Sequence, residues 1–237
     1  MPYSDGQVQS ERRLHKVTGD QALKVLHWLT WADSDYLAAR KLLLDGLLVQ
    51  GASLANTSIE KYLKALLAFQ NKKVIRGHKP LAIYNEVKKG SSLRLDETFL
   101  GLLEKAYEMR YPDDLEEGYN IVLSQALLID ALDQSTKSIT DRIAMKKNSG
   151  EPAKRNLDLL IEQRNSQLFS MNTALGTITK DALLTQPSLV FECRFLDGNY
   201  LGAEYVTDQI EDPSFGREGF IQKSDKDFQL AYLPKQL

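Results

Sequence analysis

The chain has 237 residues, 43% of them apolar and 26% charged, with 30 Lys+Arg against 32 Asp+Glu for a net charge of −2. That near balance argues against a protein that coats nucleic acid along its whole surface, and no apolar run approaches the roughly 20 residues that span a bilayer. The single cysteine, Cys193, cannot form an internal disulfide and the polar start MPYSDGQVQSERRLHKVTGD has no apolar signal core, so a reducing, cytoplasmic setting without membrane contact is expected.

Residues 1–20 show no periodicity and read as a polar N-terminal arm. Leu29, Ala32, Tyr36, Ala39, Leu43 and Leu47 then step by three and four, which lines one face of a helix. After a weaker stretch from Gly46 to Gly51, Ala52, Ala55, Ile59, Tyr62, Leu66 and Phe69 repeat the pattern. QNKKVIRGHKP is a basic connection broken by Gly77 and Pro80, and a short helix near PLAIYNEVKK ends at Gly90. Asp96 is placed to cap the next helix with its carboxylate. That helix runs through Phe99, Leu103 and Ala106 and stops at about Arg110, because Pro112 disfavours helical geometry at Tyr111.

A long helix is predicted from near Leu115 through Val122, Ala126, Ile129, Leu132, Ile139 and Ile143. KKNSGEP makes a turn, with Gly150 after one helix and Pro152 at the start of the next. Leu157, Ile161, Arg164, Leu168, Met171 and Leu175 predict a further helix. From about residue 187 the period becomes two: Leu189, Phe191, Cys193 and Phe195 alternate with Val190, Glu192 and Arg194. LDGN is a tight-turn signal, YLGAEYV a return strand, and GFIQKSDKDFQLAYL a second hairpin about Ser224–Asp227. Cys193 falls on the apolar face and reads as a small core side chain. The expected architecture is mainly α: an up-and-down antiparallel helical bundle over 21–147, a linking helix over 148–186, and a small antiparallel β-hairpin appendage over 187–237.

Charge is unevenly spread along this frame. Residues 61–90 hold eight bases, among them Lys61 and Lys64, against one acid, Glu86, a local balance of +7. Residues 91–133 hold three bases against ten acids, a balance of −7. The basic band is either a phosphate-facing surface or a solvated face, the ordinary fate of charge runs. Arg110 stands on the stripe of Phe99, Leu103 and Ala106, where a charge needs a partner or a wet cleft. Its partner is either a carboxylate such as Asp33, Asp113 or Asp114, or an external anion that suits its planar fork. His78 in RGHKP could contact phosphate, act as a base, or simply pack at the loop–helix junction. No His has a metal-ligand companion three or four residues away, and no P-loop, G-x-G-x-x-G, H-E-x-x-H or G-x-S-x-G occurs, so no metal or cofactor is implied.

SIEKYLKALLAF, GHKPLAIYNEV and LEKAYEMRYPDD, in that order and preceded by WADSDYLAARKLL, resemble the HEPN family (higher eukaryotes and prokaryotes nucleotide-binding) over about residues 22–146. The resemblance implies a helical bundle, often dimeric and often encoded beside a nucleotidyltransferase in toxin–antitoxin-like pairs. Many members are metal-independent ribonucleases that use an arginine followed four to six residues later by a histidine. By position Arg110 is that arginine, but no histidine follows it at that distance, and none of the three histidines has an arginine five to seven residues before it. The Arg-Tyr-Pro form resembles instead a branch that binds nucleotides or pairs with a nucleotidyltransferase. The expectation is a dimeric, non-catalytic module that binds a nucleotide or RNA phosphate, with a divergent ribonuclease and a purely structural interaction module as alternatives. Arg110, Tyr111, Lys61, Lys64, His78 and Asp113 are the candidate ligand contacts. Arg110 grips phosphate, Tyr111 stacks or donates its hydroxyl, and the lysines add positive potential.

Overall fold

Two long helices, α1 (Gly19–Leu44) and α2 (Leu48–Phe69), run antiparallel and form the base of the fold. The computed structural model describes residues 16–196 and 199–207; most of the expected polar arm, the turn at Asp197–Gly198 and the second hairpin about Ser224–Asp227 lie outside the described residues. The stripe Leu29, Ala32, Tyr36, Ala39 and Leu43 is buried at 3% exposure or less, whereas Leu47 lies in the turn after α1 and is exposed. α2 is buried nearly all round, as its neighbours α1, α3 (Pro80–Val87), α4 (Glu97–Glu108) and α5 (Gln125–Thr140) surround it. Asp96 caps α4 as expected, its Oδ1 accepting from the N–H groups of Thr98 at 2.8 Å and Phe99 at 3.2 Å, an arrangement worth about 1 kcal/mol.

Two expected helices take another form. The long helix from Leu115 begins only at Gln125, because Asn120–Ser124 is a strand, β1. Gly118 sits at a φ of +84°, a left-handed turn that helix continuation forbids to most residues. Beyond it, Ile121 and Leu123 are buried while Val122 is only half-buried, a period of two. β1 pairs antiparallel with β2 (Ser188–Leu196), which pairs antiparallel with β3 (Asn199–Thr207). β2 is therefore the middle strand, with Cys193 buried on one face and Val190 and Glu192 on the other; the Tyr205 hydroxyl donates to Glu192 at 2.5 Å.

The helix expected through Leu157–Leu175 is broken into α6 (Asn156–Glu162) and α7 (Ser166–Phe169), and α8 (Lys180–Leu184) follows. Arg164 ends α6 in the left-handed region at φ 51°, with its N–H on the Ile161 carbonyl and the Asn165 N–H on the Leu160 carbonyl, and Met171 repeats that conformation at φ 52°. This Schellman closure satisfies the last carbonyls of α6 and turns the chain. No helix among the described residues is long and apolar enough to cross a membrane.

Two buried networks fasten these pieces to the bundle. The Asp133 carboxylate on α5 accepts from Tyr36 at 2.8 Å and pairs with Arg40, both on α1. Arg40, only 1% exposed, also donates to the backbone carbonyls of Gln167 and Ser170 about α7. The Asp33 carboxylate on α1 accepts from Tyr62 at 2.6 Å and from Arg155 at 3.0 Å, which draws in the start of α6. Burial outweighs these partners and pushes both carboxyls up to about 6. Arg40→Ala strands Asp133 inside the protein and is expected to lower stability by about 3–5 kcal/mol, measured by urea unfolding.

Candidate functional site

The site starts from a buried carboxylate. Glu60, in the middle of α2 and 3% exposed, pairs through Oε1 with Lys64 one turn on and through Oε2 with His78 Nδ1 at 2.8 Å. His78 lies in the loop between α2 and α3, and that loop is stitched to α2 at two further points. Lys64 Nζ reaches the Gly77 carbonyl at 3.4 Å, and the Asn56 side-chain amide donates to the His78 carbonyl at 3.3 Å. Gly77 at φ +103° supplies the left-handed turn that aims both groups at the helix. A neutral imidazole that donates through Nδ1 to a carboxylate keeps Nε2 as its acceptor.

The exposed side of this imidazole meets α4. The His78 ring stacks on Tyr107 with centroids 4.9 Å apart and planes 26° apart. The Arg110 guanidinium lies 4.7 Å from the centroid of that same Tyr107 ring and 5.7 Å from that of Tyr111. One tyrosine ring thus carries both a histidine and an arginine that stand 32 positions apart in sequence.

Arg110 does not sit on the core stripe that its spacing suggests. α4 ends at Glu108, and the N–H groups of Arg110 and Tyr111 fall back on Tyr107 and Glu108, three residues behind them. The tighter turn puts Met109 into the core at 7% exposure and leaves Arg110 exposed. An internal ion pair is also excluded for Arg110: it has no carboxylate within ion-pair distance among the described residues. Asp33 is bound to Arg155, and Asp113 and Asp114 are exposed in the turn Pro112–Asp114. Tyr111 is 55% exposed.

The two lysines are differently placed. Lys64 is buried at 7% exposure, its ammonium on Glu60 and 5.4 Å from the Trp28 ring centroid. Lys61 pairs with Asp35 at 2.5 Å and lies 5.6 Å from the Trp31 centroid. Both are committed to partners within the protein, so Arg110, Tyr111 and His78 form the exposed cluster, with Asp113 beside Tyr111 in sequence. Nothing in the sequence singles out Tyr107. Glu60 carries one signal, its i,i+4 relation to Lys64 in SIEKYLK. The described residues contain no group of His, Cys, Asp and Glu that could hold a metal ion.

Such a cluster can offer an anion the bidentate fork of Arg110, a flat face or hydroxyl from Tyr111, and an oriented imidazole from His78. Residues 25–140 match the family model described as the HEPN domain, a span that runs from α1 to the last residue of α5. No curated protein and no solved structure matches the chain. Glu60→Ala removes the counter-charge of buried Lys64 and the anchor of His78. A loss of about 3–5 kcal/mol in denaturant unfolding is expected, well above the loss for His78→Ala.

Proposed function

Residues 25–140 of this chain are a HEPN domain, and from that premise we propose a non-catalytic module that binds a nucleotide or RNA phosphate at the Arg110 cluster. The observation that carries this reading is the state of Arg110: an exposed guanidinium held by two aromatic rings and by no carboxylate among the described residues. Exposed cation–π contacts are worth about 0.5–1 kcal/mol each, so the fork turns towards phosphate at little cost. Tyr111 stacks on a base or donates to the ligand, and Asp113 accepts from a sugar hydroxyl or a base amine. Lys61 and Lys64 contribute potential rather than contact. A homodimer, a nucleotidyltransferase as docking partner and a setting in a toxin–antitoxin-like pair belong to the same proposal.

Arg110→Ala is expected to abolish binding of UMP and of an oligouridylate while leaving the thermal melt nearly unchanged. Unaltered affinity in a calorimetric titration would reject the assignment.

One observation favours a second reading, the divergent ribonuclease. His78 approaches the arginine from upstream, held by Glu60 at 2.8 Å, so an oriented base stands near a phosphate-binding group without the usual arginine–histidine spacing. Here His78 would take the proton of a ribose 2′-hydroxyl as that oxygen attacks the phosphorus, and the 5′-oxygen would leave as a hydroxyl with a proton from solvent water, giving a 2′,3′-cyclic phosphate. This reading expects RNA cleavage by the pure protein in the presence of a chelator. Cleavage that survives both His78→Ala and Arg110→Ala removes it.

A further inference from the structure

We propose that α1 holds a second stacking site, built by His27, Trp28 and Trp31, for an unpaired base of a single-stranded polynucleotide whose phosphate sits on Arg110. The proposal rests on the reading of the Arg110 cluster given above, and it makes the ligand a polymer rather than a mononucleotide.

The α1 face is aromatic and open. Trp31 is 53% exposed and His27 is exposed, with ring centroids 6.1 Å apart; Trp28 is half-buried, 6.5 Å from His27. Each tryptophan has an ammonium close to its ring, Lys61 beside Trp31 at 5.6 Å and Lys64 beside Trp28 at 5.4 Å. Those ammoniums are paired with Asp35 and Glu60 and steady the rings rather than meet phosphate; the open ring faces are what single-stranded nucleic acid uses, since every base has a face to stack.

This face is joined to the Arg110 cluster through shared groups. Lys64 touches Trp28 and binds Glu60; Glu60 binds His78; His78 and Arg110 both stack on Tyr107. The loop that carries His78 also exposes Lys73, Arg76 and Lys79, whose side chains form no ion pair among the described residues. A mononucleotide leaves those charges and the tryptophans unused. A polyanion with bases engages both, and this complementarity of charge selects it over an apolar partner, although Leu23, 64% exposed, lies two turns before Trp31 on the same stripe.

Trp28 and Trp31 are the only two tryptophans of the chain, so intrinsic fluorescence reads this face directly. The full chain is titrated with UMP and with an oligouridylate. Oligouridylate is expected to quench the emission and UMP to leave it unchanged. Trp31→Ala is expected to weaken oligouridylate by about tenfold, the loss of one stacked base, with UMP affinity retained and Trp31→Phe largely restoring the polymer. If oligouridylate and UMP bind alike and Trp31→Ala is silent, the α1 site is refuted and the Arg110 reading stands. If Trp31→Ala turns a dimer into a monomer by sedimentation with affinity unchanged, the face is an interface between copies and the α1 site is again refuted. Binding of neither ligand by the unmodified chain removes the Arg110 reading and this site with it.

Discussion

A charge taken out of water must find an opposite charge, or the fold loses several kcal/mol. That constraint organises this protein. Asp33, Glu60 and Asp133 are each at most 3% exposed, and each is met by a group from a distant part of the chain. Asp33 draws in Arg155, 122 positions away. Asp133 holds Arg40, whose other donors reach the backbone about α7. Glu60 draws in His78, and with it the loop between α2 and α3. Apolar burial makes the bundle, while these three carboxylates decide where its attached segments lie. Tyr36 and Tyr62 complete two of the networks by donating to carboxylate oxygens that burial would otherwise leave unsatisfied.

Against that background the treatment of the cations about the site is instructive. Lys64 and Arg40 are sunk into full pairs, and removing either partner would strand an ion. Among the described residues Arg110 is held only by ring faces, contacts worth about 0.5–1 kcal/mol each. Lys64 and Arg40 are thus fixed for architecture, while Arg110 is oriented yet uncommitted. Preorganisation of this kind lowers the entropy lost on meeting a ligand without filling the group's hydrogen-bonding capacity.

Local rules fixed much of the frame. The spacing of Leu29 to Leu43 and of Ala52 to Leu66 marks α1 and α2, Asp96 marks the start of α4, and Pro112 marks its end. The rules failed where partners far along the chain decide. NIVLS continues a helical spacing as well as it makes a strand, and only β2 selects the strand. Arg164 and Met171 fit a helical stripe by position, yet both turn left-handed, a conformation that no side-chain pattern announces. The site shows the same division. Arg110, Tyr111 and His78 are each legible as candidates from residue type and neighbours. The burial of Met109 in place of Arg110, and the meeting of His78 with Arg110 on Tyr107, depend on how a loop docks against two helices.

The sheet has a consequence for biosynthesis. β1 precedes α5, but its partner β2 begins at Ser188, and the Ala126 N–H at the start of α5 donates to the Ser188 hydroxyl at 3.1 Å. At translation rates of about 5–20 residues per second, roughly 3–13 s separate the synthesis of β1 from that of its neighbour. Throughout that interval Asn120–Ser124 lacks the neighbour that selects its strand form, and Ile121 and Leu123 wait for the sheet that completes their surroundings.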